Sequence, residues 1–382
     1  FWVGLSIRGG GNDSPRPASQ RAAAFILTAA MLTTLTAPAF AGTWDIEKGD
    51  ITVKAGDEGT NNVKQGDNDF VKDEGETVIT GKSDKNTVTI EAENENDKVE
   101  VTFENVNIDA SSGNKAAVSV TGKGDTNIEL DGDNELKSGN RHAGLEHNKT
   151  DTSGKLTIQD KDKNGSLEAA GGFKGAGIGS AGSNDAQVKI TGGNITATSD
   201  DWGAGIGSGS YGTGTVEITG GEINATGGYL GAGIGGGCNG SGNVTISGGT
   251  ITAAGGDGAA GIGGGYYNGA TVTITGDAVI KNASTTVYGA GIGGGNGYDG
   301  DVTISGNAKI ENATGGYGAA GIGGGAFSSP DKIGNGNVVI KDNAKIDNVQ
   351  GGAYGAGIGG GIYGLSNVCL LYTSPSPRDK RQ

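Results

Sequence analysis

Cysteine occurs only twice, at positions 238 and 369, so no disulfide framework holds this chain together. Histidine also occurs twice and methionine once, which leaves little material for a metal centre or a histidine-based nucleophile system. Aromatic residues make up 5% of the sequence, too few for an ordinary aromatic-rich core. The longest apolar run, Ala22 to Leu35, is too short to span a membrane. No segment shows a helix-length stretch of period 3.6, so helical classes are excluded.

The ends read differently from the middle. Arg16 and Arg21 precede the apolar run, and Ala39-Phe40-Ala41 follows it. This is the layout of a secretory signal cut after Ala41. At the other end, "CLLYTSPSPRDKRQ" has no glycine and no strand pattern, and it resembles translated sequencing adapter from Cys369 to Gln382. Between them, residues 42–368 hold 22 basic and 41 acidic side chains, a net charge of −19. That charge repels nucleic acid and anionic membranes and suits cations or neutral partners.

What is abundant is glycine, 80 residues in all. It does not recur every third residue, which excludes collagen. It is interleaved with Ile and Val on a schedule, which excludes a flexible linker. The phrase "GAGIGGG" and its variants centre on Ile178, Ile206, Ile234, Ile262, Ile292, Ile322 and Ile358, at spacings of 28, 28, 28, 30, 30 and 36. A second phrase, such as "VEITGGEINAT" from Val216, leads each unit. One repeat fills the second half of the chain.

Each unit has three apolar beats separated by turn residues; in one they are Val216/Ile218, Ile223 and Ile234. Alternation such as Val-Glu-Ile-Thr is strand patterning. Three strands per turn, repeated in register, predict an all-β, right-handed parallel β-helix of about 28–30 residues per coil. Ile206, Ile234 and Ile262 are expected to form one internal column, and Ile218, Ile246 and Ile274 another. "GAGIGGG" also scans as a dinucleotide-binding glycine loop. Such a loop occurs once, between a strand and a helix. Here it returns with every unit, so the glycines are read as tight corners. Residues 42–98 read as the N-terminal cap and first coils, and residues 99–368 as the solenoid.

"VTFENVNIDASSGNKAAVSV" and the "GAGIGGG" coils resemble a family of secreted bacterial carbohydrate-binding domains of the pectate-lyase-like β-helix type. The resemblance implies a parallel β-helix that binds polysaccharide, with bound calcium and without catalysis. It transfers no binding motif residue by residue.

The residues themselves offer little catalytic chemistry. Lyase chemistry needs a basic side chain beside clustered carboxylates, and Arg141 is the only arginine between the flanks. It lies in a loop-like stretch with His142 and His147, read as a solvated turn. Glycoside hydrolysis needs two carboxylates facing across a cleft, and no pair repeats at matching positions. For calcium, "DKDKNGSLE" places Asp160, Asp162, Asn164 and Glu168 around a glycine turn. Its opening matches the oxygen-ligand spacing of a calcium loop, but Gly171 stands where the closing glutamate belongs.

The scarce aromatics gather beside the repeated corner. Trp202, Tyr229, Tyr288, Tyr317 and Tyr354 precede it; Tyr211, Tyr267 and Tyr298 follow it, with Tyr266, Phe327 and Tyr363 nearby. On a solenoid these positions fall along two edges of one face. They are the expected carbohydrate contacts, offering flat apolar rings to sugars; ring-on-ring packing is the alternative use. Asn282, Asn312 and Asn348 are read as a structural amide ladder. The expected function is therefore non-catalytic binding of polysaccharide or a host or cell-wall glycan, outside the cell or at its surface. A passive stalk is the alternative, and a polysaccharide lyase or hydrolase a further one.

Overall fold

The computed structural model describes residues 42–327 and 332–371. The signal-sequence reading of residues 1–41 lies outside the described residues, as do residues 372–382 of the adapter-like run. Among the described residues, the helical segments are two single turns, Ile46–Lys48 and Asp57–Gly59. The rest is strand and turn.

Each regular coil carries three strands, because each repeat has three apolar beats. Gly214–Ile218, Glu222–Thr226 and Ile234–Gly235 make one coil. They pair in parallel with Gly242–Ile246, Thr250–Ala254 and Ile262–Gly263 of the next, with Val216 on Val244, Ile223 on Ile251 and Ile234 on Ile262. Successive parallel strands in one sheet connect with a right-handed crossover. The chain is a right-handed parallel β-helix, as the periodicity predicts. The third strand is only two residues long, Ile-Gly, because the glycines that follow turn the chain.

Alternation decides which side chains face inward. Val216, Ile218, Ile223, Ala225 and Ile234 are buried, while Glu217, Glu222 and Asn224 face water. Ile206, Ile234 and Ile262 pair directly, as do Ile218, Ile246 and Ile274, so both expected columns are present. All six side chains have no exposed surface. Burial of an isoleucine is worth about 1.5–3 kcal/mol, so the columns take the place of disulfides.

The first 30-residue coil gains one residue in the turn before Val279, which pairs with Thr250, and a second at a bulge. "GDAVIKN" replaces "GGTITA", and the ladder shifts register between Ile251 and Thr252, which pair with Ile280 and Asn282. Lys281 is the extra residue of a bulge. This corrects the amide ladder. Asn348 donates to Asn312 Oδ1 at 3.1 Å, but Asn312 donates to the carbonyl of Lys281 and Asn282 to Ser284 Oγ. The series has one rung.

The N-terminal end is built otherwise. Ile51–Ala55 pairs in parallel with Val88–Ala92, then continues as an antiparallel meander through Asn61–Gln65 and Val71–Asp73. At the far end the solenoid reading stops at Val368, whereas the ladder runs on to Leu371, pairing Ser366–Leu371 with Gly336–Lys341. The side chains of that last strand are exposed.

Candidate functional site

The repeated corner positions every aromatic residue expected at the site. Gly207 follows the corner isoleucine with φ +136°, a backbone state that side chains avoid. This lets the chain turn sharply against its neighbour. A second device locks the corner's two arms together. The residue four after each corner isoleucine donates its backbone N–H to the carbonyl four before the preceding one. Cys238 donates to Trp202 at 2.7 Å, Tyr266 to Leu230 at 3.1 Å, Ala326 to Tyr288 at 2.7 Å and Ile362 to Gly318 at 2.6 Å. The two aromatic edges are thus borne on a hydrogen-bonded frame rather than on free loops.

On the edge before the corner, Tyr288, Tyr317 and Tyr354 form a continuous row. Their ring centroids are 6.1 Å apart at each step, with interplanar angles of 85° and 77°. Tyr317 is 53% exposed and Tyr354 77%. Tyr229 is exposed and has no ring partner among the described residues. Trp202 packs on Phe173 at 5.4 Å and meets Tyr211 edge-on at 6.4 Å across the corner. The Lys174 ammonium lies 4.5 Å from its ring.

On the edge after the corner, Tyr267 touches Tyr266 at 3.9 Å and Phe327 at 5.9 Å. Lys332 sits over this group, 4.7 Å from Tyr267 and 5.5 Å from Tyr298. Burial pushes the Tyr266 hydroxyl up to about 12 and the Cys238 thiol up to about 11. Burial, with Asp200 beside it, also raises the Asp201 carboxyl. The expected residues therefore separate into a row (half-buried Tyr288, exposed Tyr317 and Tyr354), a lone ring (Tyr229), a group in which Lys174 lies over Trp202 while Tyr211 stays exposed, and a group in which Lys332 lies over Tyr267 and Tyr298. The two lysines were not read from the sequence, which gave no periodic signal for them.

Positive φ recurs at fixed positions on both edges, at Tyr211, Tyr267 and Tyr363 after the corner as well as at Tyr288 and Tyr354 before it. Tyr288 and Tyr354 have φ of +58° and +70°. The equivalent residues of other coils include Gly258 and Gly318, at +77° and +75°, and Arg141 and Lys174, at +68° and +70°. Glycine adopts this conformation freely, whereas tyrosine is strained there by about 1–3 kcal/mol.

The acidic turn is closed by its own backbone. Asp160 accepts from the N–H groups of Asn164 and Gly165, both at 3.2 Å. Asn164 donates its amide to Asp131 at 3.0 Å. Asp162 is exposed, and Glu168 lies on the strand Ser166–Gly171 in register with Glu135 and Thr196. Among the described residues, no three acidic, histidine or cysteine side chains stand close enough to hold a metal ion. The donors present do not make the six-or-more-oxygen cage that calcium takes.

His142 and His147 do not share a solvated turn. His142 Nδ1 lies 2.8 Å from Glu146 Oε2, and Glu146 is itself buried, also holding the N–H of Ala143 and the amide of Asn148. His147 is on the strand Leu145–Lys149 and occupies an interior position paired with Val120. Its Nε2 is 2.9 Å from the carbonyl of Gly154 and its Nδ1 3.3 Å from that of Val120. Desolvation holds its pKa below the usual histidine value. Alternation with Leu145 was the signal that could have placed it inside.

Residues 188–210, 216–238, 244–266 and 302–326 match the beta helix repeat family model. No curated protein and no solved structure matches the chain. The beta helix repeat assignment agrees with the coil boundaries, since each matched segment runs from the first strand of a coil into its corner.

Proposed function

We propose that this β-helix is a non-catalytic carbohydrate-binding protein, secreted or held at a cell surface, with the Tyr288–Tyr317–Tyr354 row as its binding edge. The observation that carries the reading is the unbroken row of three rings at 6.1 Å steps, whose Tyr317 and Tyr354 are exposed. An open row of rings on a rigid frame suits the apolar faces of successive sugars. The passive-stalk reading is favoured by the edge-to-face contacts within the row, which use part of each ring for packing.

Affinity electrophoresis separates the two. Residues 42–368 are run through gels containing cellulose, xylan, mucin or pectin, with calcium and then with chelator. Retardation by one polysaccharide, lost on Tyr317→Ala with Tyr354→Ala, supports the binding edge. Loss in chelator alone makes the site calcium-dependent. Free migration of the folded protein in every gel leaves the stalk. Unsaturated or reducing products released from the retained polymer overturn the non-catalytic reading.

A further inference from the structure

A second concave site lies far from the tyrosine row, at the N-terminal end. Its cavity has a volume of about 370 Å³. Its floor is the outer surface of three successive coils, where Glu100 pairs with Asn127 and Thr102 with Glu129, which in turn pairs with Gln159. Its wall is the antiparallel cap, which contributes Asn61 and Glu76. Three coils at about 4.8 Å each give a floor long enough for a sugar ring.

The orientation of the Asn61 amide is fixed by its neighbours. Gly42 N–H and Trp44 Nε1 donate to Asp73, at 2.9 and 3.0 Å. Thr77 Oγ1 also donates to Asp73, at 3.0 Å, so it can only accept from Asn61. Asn61 Nδ2 donates to Thr77 Oγ1 at 2.9 Å and to the carbonyl of Glu100 at 2.7 Å. Its Oδ1 must therefore point the other way. Asn61 is 4% exposed, and its Oδ1 has no hydrogen-bond partner. Glu129 Oε2, which lines the same cavity, is met by the Lys161 ammonium at 3.4 Å. A buried acceptor without a donor, at a cavity lined by carboxylates and amides, calls for a ligand that brings donors.

We infer that this cavity is a second saccharide site, which takes one neutral sugar ring through its hydroxyl groups rather than by aromatic stacking. The choice of a sugar as the hydroxyl donor rests on the carbohydrate reading above. Charge sets the class. Glu76, Glu100 and Glu129 line the cavity against one lysine, Lys161, whose Nζ already lies 3.4 Å from Glu129. The ammonium of Lys98, 2.5 Å away, holds the Glu100 carboxyl below the usual carboxylate range. Uronic acids and sulfated sugars are therefore repelled. A bare cation is disfavoured because Glu100 and Glu129 are lysine-paired, Glu76 is tied to Thr102 Oγ1, and the acidic groups do not converge.

The test is amide chemical-shift mapping of the full described segment. Methyl glycosides of glucose, galactose, mannose and xylose are titrated, with galacturonate and then calcium alone as controls. Three proteins are compared: wild type, the Tyr317→Ala/Tyr354→Ala double variant, and Gln159→Trp, which fills the cavity from the solvent side of its strand. The inference expects one neutral glycoside to shift the amides of Thr102, Asn127 and Glu129 in wild type and in the double variant. Gln159→Trp weakens that binding at least tenfold. If the protein binds polysaccharide through the tyrosine row but no neutral glycoside shifts these amides, the second site is overturned and the edge stands. If neither is bound, both fail together. Equal binding of galacturonate overturns the neutral class, and shifts of these amides by calcium alone overturn the saccharide occupant.

Discussion

A methyl group on Gly207 would stand 2.0 Å from the carbonyl oxygen of Gly235 in the next coil. No shift of a flexible side chain relieves that contact, because both partners are backbone, and φ at Gly207 is +136°. Gly207→Ala is therefore expected to lose at least about 3 kcal/mol, combining strain and overpacking. Gly113→Ala is the control: its added methyl meets nothing closer than 3.6 Å, and a change within about 0.5 kcal/mol is expected. Urea midpoints of the two variants decide the matter, and equal midpoints would contradict the corner account.

Thr126 occupies an interior column between Val99 and Leu156. It is 1% exposed, and its hydroxyl has no partner. Thr126→Val removes an unmet buried donor while keeping the branched shape, so stability should rise by about 1 kcal/mol. A lower melting temperature in the variant would show that the hydroxyl is satisfied in solution.

His147 gives the fold a pH dependence of known sign. Above histidine's ordinary value of 6.5 the ring is neutral in both folded and unfolded chains, so the contribution to stability is fully present. As pH falls through that value, the unfolded chain takes up a proton that the buried ring resists. Stability then drops until the lowered folded-state value is reached. The melting temperature of wild type should fall more between pH 8 and pH 5 than that of His147→Gln. Parallel curves for the two proteins would remove His147 from the account.

Tyr354→Gly separates a ring kept for ligand from a ring kept for packing. Glycine already serves this position at Gly258 and Gly318. Relief of backbone strain offsets the entropy glycine adds to the unfolded chain, so stability should stay within about 1 kcal/mol of wild type. Polysaccharide affinity should fall about tenfold, the equivalent of 1.4 kcal/mol. A large loss of stability with affinity intact would assign the row to packing.

The solenoid was legible because its signal repeats. Every coil restates the same inward positions, so the register of Val216 on Val244 could be read from spacing alone. The parts that were missed occur once. The antiparallel cap has no second copy against which to align it, and Asn61 shows its value only when the hydrogen bonds of Thr77 and Glu100 are known. His147 looked like a loop residue because polar neighbours hid its alternation with Leu145. The bulge at Lys281 could not be placed, since an added residue changes the period without revealing where it sits. For the aromatics, the sequence gave the two edges, but not that Lys174 and Lys332 cover part of them while Tyr317 and Tyr354 stay open.

The stacking of each coil on the next has a mechanical consequence. Backbone hydrogen bonds between coils run along the long axis, and no covalent link other than the chain itself joins one coil to its neighbour in the 28-residue repeats. End-to-end tension therefore loads one inter-coil ladder at a time. Each rupture frees a single coil and lengthens the molecule by on the order of 90 Å, leaving the remaining coils in register. Such a stack yields to force coil by coil, in equal steps through the 28-residue repeats and in longer ones through the 30- and 36-residue coils.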